Sequence, residues 1–453
     1  MGKTRALLVL GLVYGCGGGS GNGVDAPAPI DAVGAAADAA PDSAPAAVRV
    51  TVENFGLAPV AGATVYFQDA DSTLVAEAET DAQGHASAML GAGGFVTVLL
   101  PIDPDRPDDR RADTIAGAQP GDDLHVFYVP ANPIFDVPPT TFPLSIPADP
   151  QHQYQLWSSC GAPNDVLAQA PASSAVTLRC QPPGRVDMLL VSSDLTRSLY
   201  APNITIADGV PLTLTGSYVA VEDEAFQYTG FDRSRAIGIW QGVFGPTGEV
   251  MVIGGGGTLT TGGTATRSYR RPPTVDTVTI TQSTWDYQPR VPTDPRSVTA
   301  FEWGPTPSSY ALAAADVKER ELTAQPTYDA TTHAVQWTEG TEGLEPGAVF
   351  ASIAHSRPTG ATTTRFIWTL AAAHDARMAA TFPVLPNGGL DFTPDPGASV
   401  DAGLTTIAMP ISWDRFRPDA LGATLGLNGY AGTAVGVSRE APGRAVWASY
   451  TSY

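Results

Sequence analysis

The sequence lacks a hydrophobic run long enough to cross a membrane as a helix, and basic residues are few. The apolar run at the N-terminus, residues 6–15, has ten residues, whereas a helix that spans a hydrocarbon layer of ~30 Å needs about 20. Lys and Arg number 25 against 46 Asp and Glu, which gives a formal charge of −21. Because phosphate contacts require clustered cationic side chains, this balance argues against a nucleic-acid-binding protein.

Sequence motifs of enzymes are also missing. The chain has no G-x-S-x-G, S-x-x-K or H-E-x-x-H sequence and no P-loop. Residues 254–257 are all glycine and lack the Lys and Ser or Thr that would hold phosphates, which favours a hairpin tip. His374 and Asp375 could serve in acid–base chemistry with a distant serine, although a chance occurrence is the favoured interpretation. We therefore expect a non-enzymatic protein.

Glycine, proline and apolar residues are abundant. The 47 Gly and 40 Pro are too many for a protein of long helices, and 43% hydrophobic residues can bury a core. From Val48 to Val52, valines alternate with polar residues, which is typical of a half-buried strand. We predict a mainly β protein: a small N-terminal β-sandwich, then further antiparallel β domains with one or two short helices. The helices are predicted at residues 310–322 and, more weakly, 371–380.

The N-terminus has the features of an export signal. Lys3 and Arg5 precede the short apolar run, which is typical of a signal peptide. Residues 12–16, LVYGC, resemble the lipobox of bacterial lipoproteins. The resemblance implies cleavage before Cys16 and its acylation; Gly17, in place of Asp, implies the outer membrane, on its periplasmic or cell-surface face. An ordinary secretory signal with an incidental cysteine is the alternative.

The chain contains only three cysteines. If Cys16 carries lipid, Cys160 and Cys180 remain, and an oxidising compartment would pair them. Closing a loop of about 20 residues stabilises a fold by roughly 3 kcal/mol in the chain-entropy model. Metal binding is a poor alternative, since no C-x-x-C unit or nearby histidine pair completes a ligand set. We predict a disulfide between these two residues.

Three segments after residue 46 share the motifs of one small domain. Residues 57–65 (LAPVAGATV), 80–84 (TDAQG) and 94–98 (GFVTV) resemble the carboxypeptidase regulatory-like, or transthyretin-like, seven-stranded domain. The resemblance implies an accessory or adhesive module and brings no catalytic residues. Residues 101–120, rich in Asp, Arg and Pro, are predicted to form a loop, and residues 123–130 a further strand.

These patterns divide the chain into five segments. The second of them is rich in Gly, Ala, Pro and Asp, and it cannot offset its ordering entropy, so a flexible tether is predicted. The predicted segments are a signal peptide (1–15), the lipidated cysteine and tether (16–46), the sandwich (47–130), a disulfide-bearing β unit (131–230) and a large Trp-rich β domain (231–453).

Two acidic stretches could bind calcium, which takes several oxygen ligands. In the first, Asp69 and Asp71 begin like a calcium loop, but Leu74 and Thr80 stand where an EF-hand needs Gly and Glu. In the second, arginines among the carboxylates would neutralise the site. We favour solvated turns and expect no cofactor, with calcium as the alternative. The second stretch holds Asp103, Asp105, Asp108 and Asp109; Glu222, Asp223 and Glu224 are likewise predicted to form a solvated loop.

Tryptophan placement offers a test of function. Trp285 and Tyr287, beside Arg270 and Arg271, would suit an acidic polysaccharide, although tryptophan in a β-sandwich is more often core. A glycan-binding adhesin would expose several coplanar tryptophans, a tethered hydrolase would show a cleft with two carboxylates, and a structural component would bury nearly all eight. We expect a non-enzymatic binding or structural role at the cell envelope. The expected partners are the bilayer, through acylated Cys16, and an envelope protein or polysaccharide.

Overall fold

The computed structural model describes most of the chain after residue 45. The described residues are 46–54, 59–103, 106–128, 138–160, 166–167, 173–178, 185–231, 235–245, 248–259, 264–271, 278–287, 291, 293–304, 310–359, 362–386, 392–395, 397–421 and 443–451. They form a mainly β protein with short helices, which confirms the predicted fold class.

Seven strands in two sheets make up the N-terminal part. One sheet has the order β4-β1-β7, in which β1 and β7 are parallel, and the other contains β3-β2-β5-β6. Val48, Val50 and Val52 are fully buried between them, as the alternation predicted. The strands are β1 (Val48–Asn54), β2 (Thr64–Gln68), β3 (Leu74–Glu79), β4 (His85–Ala88), β5 (Gly94–Asp103), β6 (Arg106–Ala118) and β7 (Asp123–Tyr128).

The loop predicted at residues 101–120 is wrong, because strands β5 and β6 occupy most of this segment. β6 lies between β5 and a strand from the C-terminal part, so its charged residues are carried into the interior. Asp113 is fully buried, and its carboxylate lies 2.7 Å from Arg111 Nε. Burial raises the pKa of Asp113, while the charge of Arg111 opposes that shift. An acidic sequence can thus form an internal strand when a neighbouring cation compensates it.

The middle part has its own core. Its two sheets have the orders β10-β9-β12-β13-β15 and β11-β8-β14. Among the described residues, the buried apolar side chains between them come from residues 142–214. The strands are β8 (Thr140–Ser145), β9 (Tyr154–Ser158), β10 (Val166–Leu167), β11 (Ser173–Leu178), β12 (Arg185–Ser192), β13 (Arg197–Thr205), β14 (Leu212–Thr213) and β15 (Val219–Ala220).

In the C-terminal part, the described residues form fourteen further strands and the helices. Helix α1 (Trp413–Phe416) continues into a 3-10 turn at Arg417–Asp419, and another 3-10 turn spans Ala314–Asp316. The strands are β16 (Glu222–Thr229), β17 (Arg235–Gly245), β18 (Gly248–Leu259), β19 (Thr264–Arg271), β20 (Val278–Tyr287), β21 (Ser297–Gly304), β22 (Tyr310–Ala313), β23 (Leu322–Asp329), β24 (Ala334–Glu339), β25 (Ala348–Thr359), β26 (Thr362–Ala373), β27 (Ala379–Thr381), β28 (Asp401–Ala408) and β29 (Gly443–Thr451).

Both predicted helices are wrong. Residues 310–322 form β22, one 3-10 turn and the start of β23. The alternating side chains of Tyr310 and Leu312 enter the core, and β22 pairs in parallel with β16, so tertiary burial overrides the helical propensity of the alanines. Residues 371–380 comprise the end of β26, a turn and the start of β27.

Two predicted turns are strands as well. Residues 254–257, predicted as a hairpin tip, lie within β18 and pair with β17. Residues 222–224, predicted as a solvated loop, begin β16, where they lie in register with residues 269–271 of β19. Glu222 and Asp223 are exposed, so this segment is solvated although it is a strand.

One sheet joins the two ends of the chain. It has twelve strands in the order β18-β17-β20-β21-β29-β28-β25-β26-β6-β5-β2-β3. The junction is the parallel pairing of β6 with β26, whose partners are more than 250 residues apart in sequence, for example Phe366 with Arg110. The last strand, β29, lies in the middle, between β21 and β28. The C-terminal part therefore extends a sheet of the N-terminal sandwich.

Candidate functional site

The structure contradicts the predicted glycan contact at Trp285. Trp285 is 1% exposed and packs edge-on against Phe231, with ring centroids 5.7 Å apart. Its ring therefore has no free face for a sugar. The side chains of Tyr287, Arg270 and Arg271 lie outside the described residues. Their backbones belong to different sheets, since β20 lies in the twelve-stranded sheet and β19 pairs with β16.

The four other tryptophans with described side chains also turn inward. Trp337 and Trp368 are 5% and 3% exposed, and Trp157 and Trp413 are half-buried. All five tryptophans with described side chains are therefore at least partly covered. This placement is the one expected of a structural component. The side chains of Trp240, Trp303 and Trp447 are outside the described set.

Of the three cysteines, only Cys160 is among the described residues. Cys160 follows β9, is buried, and is in the disulfide-bonded form. Cys180, its predicted partner, and Cys16, the predicted lipidation site, both lie outside the described residues. The pairing of Cys160 with Cys180 and the acylation of Cys16 stay predictions.

The acidic stretches considered for calcium bond to nearby backbone. Asp71 Oδ1 accepts a hydrogen bond from the Thr73 amide at 2.9 Å, and Asp69 Oδ1 accepts one from the Gly91 amide at 3.3 Å. Asp109 Oδ1 accepts one from the Arg365 amide at 2.9 Å. Within the part of the chain that the structure describes, no three His, Cys, Asp or Glu residues are grouped to hold a metal ion.

His374 has a different acidic neighbour from the one suggested by the sequence. Its Nε2 lies 3.1 Å from Oε1 of Glu339, whose side chain is 1% exposed, and Arg320 Nη1 donates to the same oxygen at 3.1 Å. Asp375 instead accepts from Arg377 Nε at 2.8 Å. The contacts of Glu339 join the end of β24 to the segments before β23 and after β26. We therefore interpret the cluster as an internal cross-link.

A shallow groove lies beside β23 and β28. Its volume is about 310 Å³. Its floor is buried and apolar, and Thr327 and Asp395 are exposed at its rim. The lining residues are Pro326, Thr327, Tyr328, Ala330, Pro394, Asp395, Gly397, Ala398, Val400 and Ala402. Rigid prolines and a tyrosine beside one carboxylate could hold a small ring-shaped or extended ligand.

One wall of the groove is fixed from behind by two side chains of β25. His355 Nε2 donates to the carbonyl of Phe392 at 2.9 Å. Arg357 Nη2 donates to the carbonyl of Thr393 at 2.6 Å, and its Nε lies 3.1 Å from the carboxylate of Asp395. The sequence offered one weak signal for this arrangement: His355 and Arg357 are two residues apart and so share a face of their strand.

The densest polar cluster in the middle part surrounds Asp149. Its Oδ2 accepts from Tyr154 Oη at 2.7 Å, from Arg197 Nη1 at 3.1 Å and from His152 Nδ1 at 3.0 Å. These hydrogen bonds, that of Tyr154 first, hold the pKa of Asp149 well below its usual range. Burial, reinforced by the charge of Asp149, raises the pKa of Tyr218 to about 12. The ring of Tyr218 stacks on that of Tyr154, with centroids 4.2 Å apart.

This cluster predicts a loss of stability in acid. A carboxylate with a lowered native pKa stabilises the fold above its unfolded pKa, ~3.9, and that contribution is lost as the pH falls towards the native value. We expect the midpoint temperature of unfolding of the wild type to decrease when the pH is lowered below about 4. In Asp149→Asn, this temperature should depend less on pH. Thermal unfolding followed by near-ultraviolet circular dichroism between pH 2 and 7 measures both.

Asp208→Asn is the matched control for this measurement. Asp208 also lies in the middle part, where its Oδ1 accepts one hydrogen bond, from the Thr141 amide at 2.9 Å. The control is expected to keep the wild-type dependence on pH. An Asp149→Asn curve parallel to that of the wild type would contradict the assignment.

Comparisons with known proteins give no family. No protein-family model matches the chain, and no curated protein matches it significantly. Among solved structures, the Bacillus anthracis TIE protein has 8% identity over 59% of this chain and 50% of its own, with a TM-score of 0.15. The pilus adhesin SpaC from Lactobacillus rhamnosus GG has 10% identity over 72% and 44%, with a TM-score of 0.14. BcpA, the major pilin subunit of Bacillus cereus, has 9% identity over 82% and 90%, with a TM-score of 0.11.

These similarities are weak. The chain spans half the length of the TIE protein and less than half that of SpaC. TM-scores of this size do not establish a shared arrangement of strands. Among its described residues, no helix has both the length and the apolar character needed to span a bilayer.

Proposed function

We propose that the protein is a non-enzymatic structural or adhesive component of the bacterial cell surface. The observation that carries this proposal is the inward placement of the five tryptophans whose side chains the structure describes. Trp285, Trp337 and Trp368 are buried, and Trp157 and Trp413 are half-buried. A protein that recognised sugars by stacking would leave such rings accessible. Here Trp285, Trp337 and Trp368 lie in one hydrophobic core, and Trp413 packs against another.

Contacts between distant segments support a rigid scaffold. Arg417 donates to Asp122 across 295 residues of sequence, and Trp368 Nε1 donates to Thr114 Oγ1 across 254. Gln68 Nε2 donates to the carbonyl of Val384 across 316 residues. Hydrogen bonds at such positions rigidify a fold, because separating the partners would leave buried donors and acceptors unsatisfied. A rigid body suits a protein that bears load or presents a surface.

The proposed anchor is the lipid on Cys16. The resemblance of residues 12–16 to a lipobox supports it, as does the composition of residues 17–46. As a flexible coil, that segment would have a typical span of about 30 Å. The proposal places the β domains at that distance from the outer membrane, where an envelope protein or polysaccharide is the partner.

Radiolabelled palmitate and membrane fractionation test the anchor. The wild type is expected to take up label and to sediment with outer membranes, whereas Cys16→Ala should take up none and be released. Gly17→Asp is the matched control: it keeps the cysteine and the label, but the resemblance implies that it moves to the inner membrane. Equal labelling of the wild type and Cys16→Ala would refute lipidation.

Complementation separates a scaffold from a secreted enzyme. Cells that lack the protein are compared with cells that make the wild type or Cys16→Ala, for attachment to surfaces and for sensitivity of the envelope to detergent. A structural or adhesive component must be attached to act, so the released variant should fail although it is abundant in the medium. Rescue by the released variant would contradict the proposal and favour a tethered hydrolase.

A further inference from the structure

One end of the twelve-stranded sheet is an open strand edge. β3 is the last strand in the order, and among the described residues it pairs only with β2. Leu74 and Val75, at the start of β3, are 40% and 42% exposed. An edge strand offers unpaired backbone groups to any extended chain that reaches it.

Exposed apolar side chains gather near the start of β3. Seven large hydrophobic residues are exposed among the described residues, and four of them lie close to this edge: Leu74, Val75, Met89 and Val384. The carbonyl of Val384 accepts from Gln68 Nε2 at 2.6 Å, and Gln68 is the register partner of Leu74. Met89 is two residues from Gly91, whose amide donates to Asp69. We call β3 with Met89 and Val384 the β3 edge surface.

The backbone groups that face this edge can be assigned from the ladder. The Thr80 amide donates to the carbonyl of Ala63 at 2.9 Å, one position beyond the register pair of Thr64 with Glu79. Hydrogen-bonded and non-hydrogen-bonded pairs alternate along an antiparallel ladder. Glu79 and Glu77, one and three residues before Thr80, therefore belong to non-hydrogen-bonded pairs. Their amide and carbonyl groups point away from β2 and into the open edge.

The side chains of the same two residues set the charge of the surface. Glu77 and Glu79 are exposed, whereas Ala76 and Ala78 pack against the sandwich core. A strand paired with β3 would place its alternate side chains beside these carboxylates, where Lys or Arg is favoured and Asp or Glu is disfavoured. A second copy of this chain would bring two further carboxylates to the same place, which argues against self-pairing.

We propose that the β3 edge surface binds an extended segment of a partner protein that alternates basic residues with apolar ones. The segment adds a strand to the sheet through the backbone of Glu77 and Glu79. Its basic side chains pair with the two carboxylates, and its apolar residues cover Leu74 and its exposed neighbours. Backbone bonds supply affinity in this mode of recognition, and the alternating side chains supply specificity. The inference does not depend on the anchor, because the surface can be tested on the purified chain.

A labelled peptide of about seven residues that alternates Lys and Val tests the proposal by fluorescence anisotropy with the purified full chain. It is expected to bind, and more weakly as the salt concentration rises. A matched peptide with Glu in place of Lys should bind at least about tenfold more weakly. Equal binding of the two peptides, or no binding of the Lys peptide, would overturn the proposal.

Two further comparisons test the backbone pairing. Glu77→Pro removes an amide that faces the open edge without removing a bond to β2, and should weaken binding by about tenfold. Glu77→Gln keeps the backbone amide and should mainly reduce the dependence of peptide binding on salt. Glu321→Gln, at an exposed position on another segment, is the control and should not change binding. If the proline variant misfolds, a Lys–Val peptide methylated on every backbone amide gives the answer with wild-type protein. Undiminished binding of the methylated peptide would refute backbone pairing.

Discussion

Replacement of Arg417 with methionine is expected to lower the free energy of unfolding by about 3 kcal/mol. The Arg417 side chain is 4% exposed. Its Nε and Nη2 donate to the two carboxylate oxygens of Asp122 at 2.8 and 3.0 Å, and its Nη1 donates to Asp414 at 2.6 Å. Asp122 is 12% exposed, so the substitution would leave a largely buried carboxylate without its cation. That loss exceeds the value of the pair itself, because desolvation of the remaining charge is not offset.

Arg415→Met is the matched control for this prediction. Arg415 lies in helix α1, directly before the 3-10 turn of Arg417, but is exposed, so its replacement should change the free energy of unfolding by less than about 0.5 kcal/mol. Urea denaturation measures both variants. The double variant Arg417→Met with Asp122→Leu should recover much of the loss, because an apolar pair of similar size can replace a buried ion pair. Equal effects of Arg417→Met and Arg415→Met would show that the cluster does not stabilise the fold.

Replacement of Trp368 with alanine is expected to lower the free energy of unfolding by about 4 kcal/mol, as much as Arg417→Met or more. Trp368 is 3% exposed and lies on β26, next to the parallel junction with β6. Its ring centroid is 4.9 Å from that of Phe382 and 5.8 Å from that of Phe392, and its Nε1 donates to Thr114 Oγ1 at 2.8 Å. Alanine would leave a cavity at this junction and remove the hydrogen bond across it.

Graded variants separate the two contributions. Trp368→Phe keeps most of the apolar volume and should cost about 1 to 2 kcal/mol. A double-mutant cycle with Thr114→Val isolates the hydrogen bond, whose expected share is about 1 kcal/mol. Trp413→Ala, at a half-buried position, should be less destabilising than Trp368→Ala. Equal losses at the two tryptophans would argue that the junction is not a principal source of stability.

The sequence predicted individual strands better than it predicted loops and helices. The alternation at Val48, Val50 and Val52 is visible locally, because successive side chains of a strand point to opposite faces. The prediction of a loop at residues 101–120 is wrong because charged residues do not always lie in solvent. In the structure, Arg111 compensates Asp113 inside the sheet. The helix predicted at residues 310–322 failed because a weak local propensity is overridden when a strand can be buried.

The candidate sites were less predictable than the strands. The sequence offers Trp285 as a sugar contact, but in the structure the ring of Phe231 covers it. The sequence suggested Asp375 as the partner of His374, yet Glu339, 35 residues earlier, lies beside that imidazole. Contacts of this kind depend on which strands become neighbours, and no local pattern contains that information.

The sequence by itself determined the β character of the chain, its acidic charge and the signals at its N-terminus, because each depends on composition or on a repeat of two residues. Only the tertiary structure decided that β6 pairs with β26, that β29 lies in the middle of the sheet, and that β3 is left at its edge. The physical reason is that a backbone edge can pair with many strands of similar composition. The choice among them is made by the burial and polar pairing of side chains hundreds of residues apart.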